Sequence, residues 1–317
     1  MAENSKIEWC HHTFNPWRGC RAISDACANC YAKVLVEGRL QQDFGVRTRA
    51  AASTWKQPLA WNRKAAKEGV RYRVFCASLA DVFDAEVPDE WRDDLFALID
   101  QTPNLDWLLL TKRPAVARKV MPAEPRPNVW LGTTVEDQKM ADARIPHLLA
   151  TPAAVRFLSM EPLLGPVDLS KWLGWAWSWD SMRTYTSAEC HPRGNINRYF
   201  ENDGGERCAF DGHEITNKMP LDWVITGGES GPGARPSHPD WFRSVRDQCT
   251  EAAVPFLFKQ WGEWAPGANF PDHIPSGQSH NFGDDSLDDD RSVWRVGKKA
   301  AGRHLDGVLH DGYPVPA

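Results

Sequence analysis

A repeated beat constrains the fold of this chain more than any single motif. Short apolar runs end in polar or glycine residues, and helical stretches follow them. "RVFCAS" (73–78), "WLLLT" (107–111), "VWLGTT" (129–134), "VRFLSM" (155–160), "WVITGG" (223–228) and "VPFLFK" (254–259) all read this way. A further strand is expected near residues 12–17. Continuous apolar runs are the mark of parallel strands buried on both faces, and strand–helix alternation implies right-handed βα units. About seven such units without a dinucleotide-binding fingerprint favour a (β/α) barrel, complete or partial, over an open doubly wound sheet. The barrel is expected over residues 1–265. A loop-rich insertion is expected at 172–220, rich in Trp, Gly, Asn and charge, and a C-terminal tail at 266–317 packed on the barrel.

No apolar run approaches the ~20 residues that span a bilayer, and "MAENSKIEWC" has no apolar signal core. A cytoplasmic location with no membrane partner is the expectation. A net charge of −5 argues against a broad basic groove for nucleic acid but leaves room for a local basic contact.

Within "NPWRGCRAISDACANCYA" (15–32), Cys20, Cys27 and Cys30 follow a C-x6-C-x2-C spacing. A reducing cytosol disfavours disulfides, so clustered thiols point to metal or redox chemistry. A structural zinc site closes with four ligands, whereas an iron–sulfur cube takes one ligand per iron, so three thiolates leave one iron open. The competing readings are a zinc site that recruits Cys10, His11 or His12, and three unligated core thiols. Cys27 and Cys30 are expected on a tight turn entering a helix over 28–42, with Gly19 allowing close backbone approach before Cys20.

Three cysteines just after the first strand of a (β/α) barrel resemble the radical S-adenosylmethionine (SAM) superfamily. The C-x2-C half of that superfamily's spacing is kept here, and the first gap is longer. A closer resemblance is to a phage- and prophage-encoded three-cysteine-motif family. It is carried by "IEWCHHTFNPWRGC", "CANCYA", "SLADVFD", "LLLTKRP", "WLGTTVED", "FLSMEPLLGPVDL", "WVITGGESGPGARP", "FLFKQWGEW" and "RVGKKAAGRHLDG". That family generally has Thr where this chain has Cys10, so Cys10 is not read as a ligand. The resemblance implies a [4Fe–4S] cluster on Cys20, Cys27 and Cys30, with SAM chelated by the open iron. It also implies an electron donor such as a flavodoxin or ferredoxin, and a setting in the host cytoplasm. The chemistry implied is reductive cleavage of SAM to methionine and a 5′-deoxyadenosyl radical that abstracts hydrogen from a substrate.

Chemistry in such barrels gathers at the carboxyl ends of the strands. The polar residues expected there are Ser78, Asp81, Thr111, Lys112, Arg113, Thr133, Thr134, Glu136, Ser159, Glu161, Gly227, Gly228, Glu229, Ser230, Lys259, Gln260 and Trp261. Tyr31, Ser78, Thr133, Glu136, Ser159, Glu161, Gly227 and Gly228 are expected on the cofactor. Lys112, Glu229 and Lys259 are expected at the reaction. Lys112, Arg113 and Lys259 would hold a phosphate or carboxylate, and Trp261 beside Gln260 would stack on a base and read its edge. The substrate expected is a nucleobase in DNA or a nucleotide, modified, isomerised or repaired. The alternatives are a metal-stabilised, non-catalytic nucleic-acid-binding or regulatory module, and a radical enzyme working on a peptide or small metabolite.

Overall fold

The computed structural model describes residues 3–173, 221–270, 275–283 and 292–314. Seven parallel strands form one sheet in strict chain order: β1 (His12–Phe14), β2 (Tyr72–Cys76), β3 (Leu105–Thr111), β4 (Val129–Thr134), β5 (Val155–Met160), β6 (Trp223–Gly227) and β7 (Phe256–Gln260). Helices α1 (Tyr31–Gly38), α2 (Gln57–Glu68), α3 (Asp89–Asp100), α4 (Pro114–Val120), α5 (Gln138–Leu149) and α6 (Pro239–Glu251) lie between them. Sequential order with every neighbour parallel is the winding of a (β/α) barrel, and the sheet is curled into a half-barrel flanked by helices. The expected helix over 28–42 is shorter. Residues 25–27 make a 3-10 turn, Cys30 caps α1, and α1 ends at Gly38.

Strand alternation sends successive side chains to opposite faces and produces two apolar layers. Val74, Leu109, Leu131, Leu158, Val224 and Phe258 pack outward against helix residues such as Leu95, Ile99, Ile145 and Phe242. Phe75, Leu108, Trp130, Phe157, Trp223, Ile225 and Leu257 fill the other face together with Trp9 and Cys10. This second layer is an aromatic floor: Trp9 lies 4.5 Å from Phe75, and Trp130 meets Trp223 edge-on at 6.1 Å. Several of the sixteen tryptophans are therefore core groups.

The two chain ends meet over this floor. Tyr313 packs on Trp223 at 5.3 Å, lies under the Arg73 guanidinium at 4.2 Å, and donates its hydroxyl to the Glu8 carbonyl at 2.7 Å. Residues 310–312 also run along the free edge of β7. Phe258 N donates to His310 O, and Gly312 N to Phe256 O. A side chain at Gly312 would come within 2.7 Å of that strand's backbone. The expected C-terminal tail supplies β9 (Ser279–Asn281) and β10 (Ser292–Arg295) of a small antiparallel sheet whose first strand, β8 (Trp264–Pro266), crosses the boundary expected between 265 and 266; the order is β8–β10–β9. It ends in the short pair β11 (His304–Leu305) and β12 (Val308–Leu309). From residue 174 on, the insertion expected at 172–220 lies outside the described residues, and with it Cys190, His191, Cys208 and His213, whose residue types could serve a second metal site. No helix among the described residues is long and apolar enough to cross a membrane.

The floor is tight at Gly132, where an added Cβ would sit 2.3 Å from the Phe157 ring. Gly132→Ala is expected to cost ~1–3 kcal/mol by overpacking, measured by urea unfolding. Adding Phe157→Leu should recover part of that loss. Wild-type stability for Gly132→Ala would show that the ring does not cover the glycine.

Candidate functional site at the carboxyl ends of the strands

The cysteine loop is built onto the carboxyl end of the sheet by its first residue. Gly19 adopts φ +102° and donates its amide to the Leu79 carbonyl just beyond β2, and a Cβ there would strike the Val46 carbonyl at 2.3 Å. Only glycine tolerates both demands. Cys20 N then bonds to Phe44 O at 2.9 Å. Cys20, Cys27 and Cys30 are all free thiols, and all are half-buried. Cys20 and Cys30 rest on a small apolar cluster of Ala32, Val36, Phe44 and Leu79.

Three strand ends hold the loop. After β2, the Ser78 carbonyl accepts the Tyr31 hydroxyl at 2.6 Å, while the Asn15 side chain bonds to the Ser78 hydroxyl and the Leu79 amide. After β3, Arg113 donates to Cys20 Sγ at 3.4 Å and to the Arg21 carbonyl at 2.9 Å. After β6, Glu229 accepts from Asn29 at 3.0 Å, and Asn29 also donates to the Gly233 carbonyl at 2.7 Å. Burial pushes the Cys20 thiol upward and Asp81 adds to this, against the opposing pull of Arg113.

Most of the charged residues expected to meet ligand are committed to one another. Arg113 pairs with buried Asp81 at 2.9 Å; Asp81 also accepts the Thr111 hydroxyl and the Lys112 amide. Glu136 is fully buried, paired to Arg144 at 2.7 Å, and Thr133 donates to the Thr111 carbonyl. Both Glu161 oxygens accept from Lys259, at 2.7 and 2.8 Å, and Gln260 bridges Glu161 to Ser230. Trp261 is 2 % exposed, packed against Phe242 and Phe258, with its indole N–H on the His304 carbonyl. The expectation that Trp261 stacks on a base is therefore corrected: a buried ring offers no face to a ligand.

"GGESGPGARP" is a cradle for the cysteine loop. A Cβ at Gly228 would lie 1.9 Å from the Trp261 carbonyl, and one at Gly262 2.2 Å from the Glu229 carbonyl, so the two segments run in backbone contact. Glu229 is 6 % exposed and accepts from the Arg235 amide, the Arg235 guanidinium and Asn29. Burial would raise its carboxyl pKa, but these donors outweigh burial and hold it below its ordinary 4.5. The Glu229 expected at the reaction is thus a fully bonded anion joining two loops. Asn29 and Arg235 were missed in the sequence, because a lone amide beside a cysteine and an arginine after a Gly-Pro loop carry no signal until the fold brings them together.

Lys112, Thr134, Ser159, Glu161, Gly227 and Lys259 continue, by strand alternation, the rows that carry the aromatic floor. Gly227 packs against the Glu161–Lys259 pair: a Cβ there would meet the Gln260 carbonyl at 3.3 Å, the Glu161 carboxyl carbon at 3.5 Å and Lys259 Cβ at 3.5 Å. Lys112 Nζ makes one described contact, with the Thr134 hydroxyl at 3.4 Å, and no described carboxylate pairs with it. The three thiols have the donor chemistry of an iron–sulfur site, with soft ligands and a guanidinium to offset thiolate charge. Among the described residues no group of three His, Cys, Asp or Glu side chains is placed to hold a metal ion.

The chain belongs to the family described as protein of unknown function DUF5131, which it matches over residues 4–314. No curated protein matches it, and neither does any solved structure.

Because Glu229 titrates below its ordinary value in the folded state, its contribution to stability is complete above pH 4.5 and is lost as pH falls through the depressed value. Glu229→Gln is expected to cost about 1–2 kcal/mol at pH 7, the range for a buried carboxylate with a partly exposed arginine. Urea titrations should show this gap closing below pH 4.5. A gap independent of pH would show that the Glu229 charge does not hold the cradle.

Proposed function

We propose that this protein is a radical SAM enzyme with a partial (β/α) barrel of that superfamily's type, and that its substrate carries a nucleobase and a phosphate. The observation that carries this reading is the placement of three free thiols on one loop over the carboxyl ends of a singly wound parallel half-barrel. Cys20, Cys27 and Cys30 would hold a [4Fe–4S] cluster whose fourth iron binds SAM. When bound, that pair supplies a one-electron reductive cleavage of SAM, with the electron drawn from a small redox protein.

The chain's own residues set the surroundings. Arg113 donates to Cys20 Sγ and partly offsets the upward push that burial and Asp81 give that thiol. The floor of Trp9, Phe75, Trp130, Phe157 and Trp223 is a buried apolar layer under the strand ends. Tyr31 and Ser78 join the cysteine loop to β2, so a ligand held by the loop also meets that strand end. Lys112 receives the anionic group of the substrate, since the other two cations expected there are neutralised by Asp81 and Glu161. The net charge of −5 favours a local contact with one flipped or single nucleotide over wrapping of long duplex. The Glu161–Lys259 pair lines the same face and can shift its hydrogen bonds toward a polar ligand without leaving a charge unpaired.

Protein purified and reconstituted without oxygen is expected to bind about four irons, one per corner of a cube, and alanine at any of the three cysteines should abolish this. Reduction with SAM should release 5′-deoxyadenosine. Stoichiometric zinc with no visible absorption, or an electron paramagnetic resonance signal that SAM does not perturb, would refute the reading. Lys112→Ala should weaken nucleotide or oligonucleotide binding in a salt-dependent manner, with iron content unchanged. Transfer of substrate deuterium into 5′-deoxyadenosine from a peptide or phosphate-free metabolite, and from no nucleotide or nucleic acid, would reassign the substrate.

A further inference from the structure

We infer that the small C-terminal sheet is a positioning element for the cysteine loop, acting through Arg295 and Trp264 on residues 231–235. The inference rests on the reading that the three thiols are the working groups of the site. It does not depend on what they bind.

Residues 231–235 have no regular secondary structure, and other elements hold them from two sides. From behind, Trp264 on β8 donates its indole N–H to the Ala234 carbonyl at 2.7 Å. Arg295, paired directly opposite Trp264 on β10, donates to the carbonyls of Gly231 and Pro232. Glu263 accepts the Gly231 amide at 3.1 Å, and Ala234, Trp264 and Val293 form a small core of their own. In front, the same segment meets the cysteine loop. Gly233 O accepts from Asn29, Arg235 donates to the Asp25 carbonyl at 3.0 Å, and a Cβ on Gly233 would fall 2.5 Å from Asn29 Oδ1. Asp25 and Asn29 bracket Cys27, and Asn29 precedes Cys30. The path of the chain at both thiols is therefore set by a segment that is itself held by the C-terminal sheet. Cys20 is held separately, by Arg113 and by the Phe44 carbonyl. This division makes the inference testable thiol by thiol.

The experiment is iodoacetamide alkylation of the metal-free full chain, with each cysteine followed by peptide mass spectrometry and the thermal midpoint measured in parallel. Arg295→Ala is expected to speed alkylation of Cys27 and Cys30 relative to Cys20 by at least about three- to tenfold, the scale of one ordinary lost hydrogen bond. Buried Cys249 should stay protected. Arg295→Lys, which keeps a cationic donor, should restore most of the wild-type pattern. Trp264→Phe, which keeps the ring and removes the donor, should give the same selectivity, and it serves as the test if Arg295→Ala does not fold. Unchanged ratios of Cys27 and Cys30 to Cys20 in the folded variants would overturn the inference. So would a parallel rise at Cys249, which would mean general loosening. Iron binding does not enter the measurement, so failure here and failure of the iron–sulfur reading are separately visible.

Discussion

A curled parallel sheet that stops at seven strands leaves a concave face to fill and edges to pair. A closed barrel fills its interior from strands on all sides, but a half-barrel lacks that supply. Here the chain ends supply the missing groups. Trp9 and Cys10 enter the concave face from one side, Tyr313 bridges it from the other, and residues 310–312 hydrogen-bond along the edge of β7. The aromatic floor that results has little slack, as Gly132 beneath the Phe157 ring shows. Everything polar at the carboxyl end stands on this floor.

The carboxyl end itself is organised by buried carboxylates that arginines neutralise. Asp81 with Arg113, Glu136 with Arg144 and Glu229 with Arg235 each take an acid that a strand end exposes and fix it to a neighbouring loop or helix. Isolated buried charges are costly, and such pairs with extra hydrogen bonds hold register and loop position more than they add net stability. The consequence for function is one of subtraction. Once the pairs are made, the expected strand-end groups not tied to an arginine, among the described residues, are Lys112, the hydroxyls and the Glu161–Lys259 pair, with the three thiols on the loop above. This is a narrower site than the roll of polar strand ends suggests.

The sequence by itself determined the strands, their parallel direction and a (β/α) winding, complete or partial, because buried parallel strands need continuous apolar runs and βα units have one hand; that the winding stops at a half-barrel came from the structure. The sequence also determined where the thiols lie along the chain and that Gly19 precedes them, since a backbone approach that excludes a side chain can be filled only by glycine. Only the tertiary structure decided the role of each charged strand end. Glu229 and Lys259 look alike in the chain as polar residues after an apolar run, yet one is the fully bonded anion of a cradle and the other is paired to Glu161 on the row that continues the floor. Asn29 and Arg235 are 206 positions apart in the chain and act on one carboxylate. A pairing of that span depends on where two loops end up in space, and no local pattern of residues encodes it.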